Sequence, residues 1–375
     1  MALSNDRFIT LDIFRGMTIC FMIIVNSPGS GAVHWAPLDH AEWFGFTPTD
    51  LVFPSFLFAV GNALSFSKKK FESDATFLGK IFKRTVIIFL LGYLMYWFPF
   101  MHRQEGAWVF NAFAATRVMG VLQRIALCYF FGALIVHYCS KRTAVAISVV
   151  LLLGYWTSLI MLGTAGEEYT MLGNAGTHFD LLILGDLHMY HNAGGPVAFE
   201  PEGLLSTLPS IVNVIGGFLA GSYIQRKGRN YESTAMLLIY GALLIFAALF
   251  WGQFFPIGKK LWTSSFALLT IGLDLVILGV LVYLFELRKF RWSTEFFLIF
   301  GRNSLAIYLL SELLIISIQT IWVSPGLSFY AWVNQVFFQP VFPGALGSHL
   351  FAVTFMMICW IVAYVMDKKK IYVKI

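Results

Sequence analysis

The sequence predicts an all-α, polytopic membrane protein of about ten transmembrane helices, with both termini cytoplasmic and two long non-cytoplasmic loops. Two observations carry this. Of 375 residues, 58% are hydrophobic and only 12% are charged, about half the ~25% charge of a soluble domain. Apolar runs also recur at lengths that suit a bilayer, where ~20 helical residues cover the ~30 Å hydrocarbon core. Together these exclude a water-soluble enzyme, a disordered chain and a nucleic-acid-binding module. The sequence pI near 9 does not restore the last, because basic charge must gather on an exposed face to meet phosphate.

The runs fall near 10–27, 50–67, 81–98, 118–138, 143–162, 204–224, 234–253, 262–285, 296–322 and 348–366. Glycine and proline inside them are tolerated, since neighbouring helices satisfy freed backbone groups. In the first run Asp12 and Arg15 interrupt the apolar stretch and no small-residue cleavage site follows, so it reads as a retained span rather than a signal peptide. Residues 1–375 read as a single transmembrane domain. The scattered Cys20, Cys128, Cys139 and Cys359 read as small buried hydrophobes.

Lysine and arginine set the orientation. The connections at 68–84, 140–142, 225–232 and 287–293, with the termini, hold 19 of 26 basic residues. The alternate connections hold four: Arg103, Arg117, Lys259 and Lys260. By the positive-inside rule the basic loops and both termini are cytoplasmic. The long loops 27–49 and 163–203 carry no Lys or Arg, but hold His34, His40, His178, His188 and His191; His102 lies between them. They also carry Asp39, Glu42, Glu167, Glu168, Asp180, Asp186, Glu200 and Glu202. Loops of this length without evident secondary structure serve as lids or binding loops. His188 and His191 are three apart, yet the cluster around them matches no ligand motif, so no metal is expected.

Ionisable groups inside spans are costly and face the bundle interior, where they pair or work. Asp12 and Arg15 share a helix face three residues apart. Asp50 opens the second span, Arg124 lies in the fourth, Asp274 in the eighth and Glu312 in the ninth. Buried ion pairs and functional groups are both open readings of these residues. Ser304, Tyr308, Ser311 and Glu312 form one stripe, preceded by Arg302 and Asn303. Such a set lines a solute path or a cavity for a polar cofactor, and composition does not choose between them.

Residues 40–61 place His40 just outside the membrane, then Trp43 and Gly45, then Thr47-Pro48-Thr49-Asp50 opening a helix. Thr47 or Thr49 suits the N-cap, and Asp50 suits the positive end of the helix dipole. Trp43, Phe44 and Phe46 are placed to exclude water from His40.

With these motifs the sequence resembles the transmembrane acetyltransferases typified by heparan-α-glucosaminide N-acetyltransferase and their bacterial relatives. The resemblance covers nearly the whole chain. It runs through Leu11-Asp12-Ile13-Phe14-Arg15-Gly16, Val25-Asn26, the His40–Gly61 segment and the Arg117–Arg124 segment. It continues through Pro201-Glu202-Gly203, Lys259-Lys260-Leu261-Trp262 and the Gly301–Tyr308 segment. It implies acetyl transfer from cytoplasmic acetyl-CoA to the amine of a glucosamine-type sugar across the membrane. His40 maps onto the catalytic histidine and Asn26 onto the assisting asparagine. The family also implies a homodimer, and its bacterial relatives imply an inner membrane with the acceptor site facing the periplasm.

On chemistry, His40 serves as general base on the sugar amine or as a transient acetyl carrier, with direct transfer preferred. Asn26 suits the developing oxyanion. Arg15, Arg124, Asn303 and Ser304 are the candidates along the cofactor arm. Lys68, Lys69, Lys70, Lys83, Arg84 and Arg142 are available to the coenzyme A phosphates. Asp50, Trp43, Glu200, Glu202 and Glu312 are candidate substrate contacts, the acids complementing a cationic sugar along with Asp180 and Asp186. The alternatives are an amino-sugar transporter, which the midplane charges would suit, and an O-acetyltransferase of an envelope polysaccharide.

Overall fold

In a computed structural model of the protein, residues 8–31, 34–67, 73–104, 107–191 and 198–373 are described. Each expected span is helical. α1 covers Ile9–Asn26, α2 Pro48–Ser67, α3 Asp74–Trp97, α4 Val121–Tyr138, α5 Lys141–Leu162 and α6 Ala175–Leu184. α7 covers Thr207–Lys227, α8 Tyr231–Trp251 and α9 Ser264–Leu281, which runs on through a wider turn at Val282–Leu287. α10 covers Thr294–Arg302, α11 Ser304–Thr320, α12 Phe329–Val333 and α13 Ala345–Lys368.

Among the described residues, eight helices are long and apolar enough to cross a membrane, and up to nine if α10 and α11 are one broken span. α3 is long enough, at 24 residues, but Lys80, Lys83 and Arg84 put at least three charges in every 18-residue window of it. The expected run 296–322 is not one straight helix. It breaks at Asn303 with an 82° bend between α10 and α11. The side chain of Asn303 instead ties down the chain end, donating to the Ile371 carbonyl at 2.9 Å and accepting from the Val373 amide at 3.0 Å.

The fold is also not purely helical. Met101–Gln104 (β1) pairs antiparallel with Ala107–Phe110 (β2), and Trp322–Ser324 (β3) with Leu327–Ser328 (β4). The 163–203 loop is not structureless either. α6 lies inside it, with Asn174 as its N-cap accepting from the Thr177 amide.

α2 packs most extensively on α7, and α8 on α9. The α2–α7 approach is close because both helices present glycine. A Cβ on Gly61 would overlap the Val214 carbonyl, and one on Gly217 would overlap the Phe58 carbonyl. Small residues let backbones meet where no hydrophobic effect drives helices together. α1, α4 and α9 complete the layer around this pair with buried Ile13, Ile19, Leu122, Phe266 and Leu278. Val150 and Met161 on α5, and Phe246 and Phe250 on α8, stay exposed, as side chains facing acyl chains do. At the edge of this core the first loop and the α8–α9 connection meet, where the Gly45 amide donates to the Ile257 carbonyl at 2.8 Å.

Candidate functional site

The meeting of those two loops builds a pocket. Pro48 begins α2 and Thr47 is its N-cap residue, so Asp50, the third helical residue, turns its carboxylate back over the helix start. One oxygen, Oδ2, accepts from the amides of Thr47 (3.0 Å) and Ala41 (3.2 Å) and from the Thr47 hydroxyl (3.2 Å). The other, Oδ1, lies 2.7 Å from Nδ1 of His40. Asp50, a candidate substrate contact by sequence, lies in the pocket wall. Its side chain is 0% exposed, against 44% for His40, and both oxygens are taken up by the histidine and the loop that carries it.

On the other wall, Trp262 returns its amide to the Lys259 carbonyl at 2.9 Å and adopts φ 50°, in the left-handed region that side chains of its size avoid. Thr263 locks this turn, its hydroxyl accepting from the Gly258 amide at 3.1 Å. The turn aims Lys259 at His40. Its Nζ lies 3.1 Å from Nδ1 and 3.2 Å from Nε2 of His40, and 3.9 Å from Asp50. Burial pulls the Lys259 amine down to about 8, with Asp50 and Glu202 pulling the other way.

These groups line one cavity of about 600 Å³, with Asn26, Tyr96, Arg117, Glu202, Trp262 and Glu312 among its other walls. Asn26, at the end of α1, donates through Nδ2 to Glu312 on α11 at 3.1 Å. Thus His40, Asn26, Asp50, Glu202 and Glu312 come together as candidates. Trp43 stands one layer behind. Its ring packs 5.1 Å from that of Phe199, a lining residue, and its Nε1 donates to the Tyr169 carbonyl at 2.8 Å.

Glu200 is buried beneath the pocket rather than open to it. Arg117 grips it with Nε at 2.9 Å and also with Nη2, which reaches Glu202 at 2.7 Å. The guanidinium is sandwiched between Tyr96 and Tyr190, 4.8 Å from each ring centre. Burial works against the charged form of Arg117, but its aromatic and acidic neighbours outweigh that and raise its pKa.

The four cofactor candidates do not converge. Arg15 donates to Ser304 at 2.7 Å, and both line a second cavity of about 230 Å³ with Arg84 and Tyr129. Asn303 is occupied by the chain end. Arg124 is wholly buried, donating to the Gly203 carbonyl at 2.9 Å and to Ser206, with its guanidinium 5.0 Å from the Trp262 ring centre. Among the described residues its Nε and Nη1 have no hydrogen-bond partner. Lys68, Lys69 and Lys70 lie outside the described residues.

The acid-and-histidine cluster of the second loop disperses as well. His188 bonds the Thr116 carbonyl at 2.8 Å, and His191 lies 3.4 Å from Asp186. Asp180 is buried, accepting from the Leu204 amide at 2.8 Å, and burial pushes its carboxyl up to about 7.

Two residues of the pocket escape a reading by residue chemistry, Lys259 and Arg117. Their signal is their place among the four basic residues on the side otherwise poor in Lys and Arg.

Fold and site define a polytopic helical membrane protein whose pocket sets a histidine between a buried carboxylate and a lysine. A family model described as "Heparan-alpha-glucosaminide N-acetyltransferase, catalytic" matches residues 7–185, a stretch that holds Asn26, His40 and Asp50 but not Lys259 or Glu312. Heparan-alpha-glucosaminide N-acetyltransferase of Homo sapiens is 27% identical over 355 residues, covering 80% of this chain and 52% of its own length. That of Mus musculus is 26% identical over 364 residues, covering 83% and 54%. The chain is similar to this family over these stretches, and it spans about half the length of the curated relatives it matches.

Proposed function

We propose that the protein is a transmembrane acetyltransferase. It moves acetyl from acetyl-CoA to the amine of a glucosamine-type sugar, with His40 as general base. The observation that carries this reading is the 2.7 Å bond from His40 Nδ1 to the buried Asp50. A carboxylate on Nδ1 fixes the ring orientation and tautomer, leaving Nε2 as the basic nitrogen, the same logic that orients the histidine of a hydrolase triad.

Acetyl transfer needs an unprotonated amine, a base for its proton and a donor for the oxyanion. His40 Nε2 takes the proton. Asn26 gives one amide hydrogen to Glu312, and its second remains for the thioester oxygen. Glu202, on the pocket wall, supplies negative charge for the sugar ammonium.

Acetyl-CoA is taken to enter at the cleft of Arg15, Ser304 and Arg84, whose cations suit its phosphates. α1 joins Arg15 to Asn26 and α11 joins Ser304 to Glu312. At 1.5 Å per residue these are separations of about 12–17 Å, a reach suited to the extended pantetheine arm. The positive-inside bias puts that cleft on the cytoplasmic face and the His40 pocket on the opposite one. A bacterial inner membrane, a periplasmic acceptor and a homodimer complete the proposal on family resemblance.

Purified protein incubated with acetyl-CoA and glucosamine is expected to form N-acetylglucosamine, and His40→Ala is expected to abolish it. Equal turnover by His40→Ala would defeat the assignment. Glucosamine uptake into proteoliposomes without acetyl-CoA would replace it with transport.

A further inference from the structure

The pocket contains an amine of its own. Lys259 Nζ is almost equidistant from the two nitrogens of His40, at 3.1 and 3.2 Å. An ammonium at contact distance from both lies over the ring, since in the ring plane the Cε1–H would stand in its way. It therefore leaves Nδ1 bonded to Asp50. Rotation about the last bonds of the lysine stem carries Nζ to Nε2, and its present 3.2 Å is already within the roughly 2.6–3.2 Å over which a general base removes a proton. The neighbouring Lys260 differs, its Nζ lying 6.0 Å from the Trp43 ring centre.

An amine acts as a nucleophile only when unprotonated, and burial brings Lys259 down to about 8. Its stem is largely enclosed, with 18% of the side chain exposed. A nucleophile held beside the base, in the cavity proposed to receive the thioester, has the advantage of proximity over any solvated lysine.

We propose that Lys259 Nζ is a second acetyl acceptor inside the pocket, becoming Nε-acetyllysine when acetyl-CoA is bound and no sugar amine competes. The inference rests on the acetyl-transfer reading above. The Nζ lone pair attacks the thioester carbonyl carbon, the C–N bond forms and the C–S bond breaks. The proton lost from Nζ passes to His40 and then to the departing coenzyme A thiolate, with nothing oxidised or reduced. Acetylation removes the lysine charge and leaves Asp50 and Glu202 without that cation.

The test incubates the purified full chain with radiolabelled acetyl-CoA, with and without glucosamine. Hydroxylamine then strips any acetyl-imidazole, and peptide mass spectrometry locates the remaining label. Stable acetyl on Lys259 is expected well above that on Lys260. Glucosamine should suppress it, Lys259→Arg should abolish it, and His40→Ala should lower it by about 10²-fold or more. Turnover in the glucosamine arm, with Lys259 still unmodified in the arm without glucosamine, overturns the inference and leaves the acetyltransferase reading intact. Hydroxylamine-labile acetyl on His40 with none on Lys259 overturns it too, as does equal labelling of both lysines that ignores His40→Ala. Absence of both label and turnover defeats inference and reading together.

Discussion

Asp50 Oδ1 stands 2.7 Å from His40 Nδ1, while Oδ2 of the same carboxylate holds the amides of Ala41 and Thr47. One buried group thereby fixes both the ring and the loop that bears it. Asp50→Asn keeps the volume but offers His40 no carboxylate, so the ring loses its tautomer preference. The expected result is a fall in kcat of about 10²- to 10⁴-fold, with KM for glucosamine little changed. Turnover within about twofold of the unaltered protein would show that the pair is merely structural.

Much of this site is visible in the sequence because lipid makes polarity expensive. Glu312 interrupts an apolar run, Asp50 opens one, and His40 sits among aromatics at a membrane edge, whereas Asn26 is marked by the family resemblance alone. Lys259 is not visible in that way. Its partner lies 219 positions earlier, and a lysine in a short loop reads as topology alone. The bend at Asn303 escapes for a related reason. Apolar stretches lie on either side of Arg302-Asn303-Ser304, so the run looks continuous, and the tail that bonds the Asn303 side chain is 70 residues away. α6, with ten residues, is too short to cross a bilayer and so merges into loop.

The α2–α7 contact makes a second prediction. Gly217→Ala would drive a methyl group into the Phe58 carbonyl, and backbone cannot give way as a flexible side chain can. The two helices must separate along a shared face, at a cost at or above the roughly 1–3 kcal/mol typical of overpacking. A clear drop in thermal midpoint in detergent, or aggregation on size exclusion, is expected. An unchanged midpoint would mean that the helices stand farther apart than this contact requires.

Arg117 is held by Glu200 and Glu202 together, and that arrangement separates pairing from charge. Arg117→Met strands Glu200 without a counter-ion, and breaking a buried pair in this way costs about 3–5 kcal/mol. Adding Glu200→Gln removes the stranded charge and should recover much of the stability. Thermal midpoints of the single and double variants decide the point. A double variant no more stable than Arg117→Met would place the defect in lost packing against Tyr96 and Tyr190.

Asp180 yields a prediction with a defined sign. Its carboxyl is pushed up to about 7, chiefly by burial and despite the Leu204 amide. The folded state therefore binds more protons than the unfolded one between the ordinary aspartate range and about pH 7. Stability falls as pH rises across that window, and the penalty is complete above it. Asp180→Asn keeps an oxygen for the Leu204 amide and carries no charge. It should raise the thermal midpoint at about pH 8 and change it little at about pH 4, since each tenfold gain in proton affinity on folding is worth about 1.4 kcal/mol. A midpoint gain as large in acid as in base would show that the benefit is unrelated to ionisation.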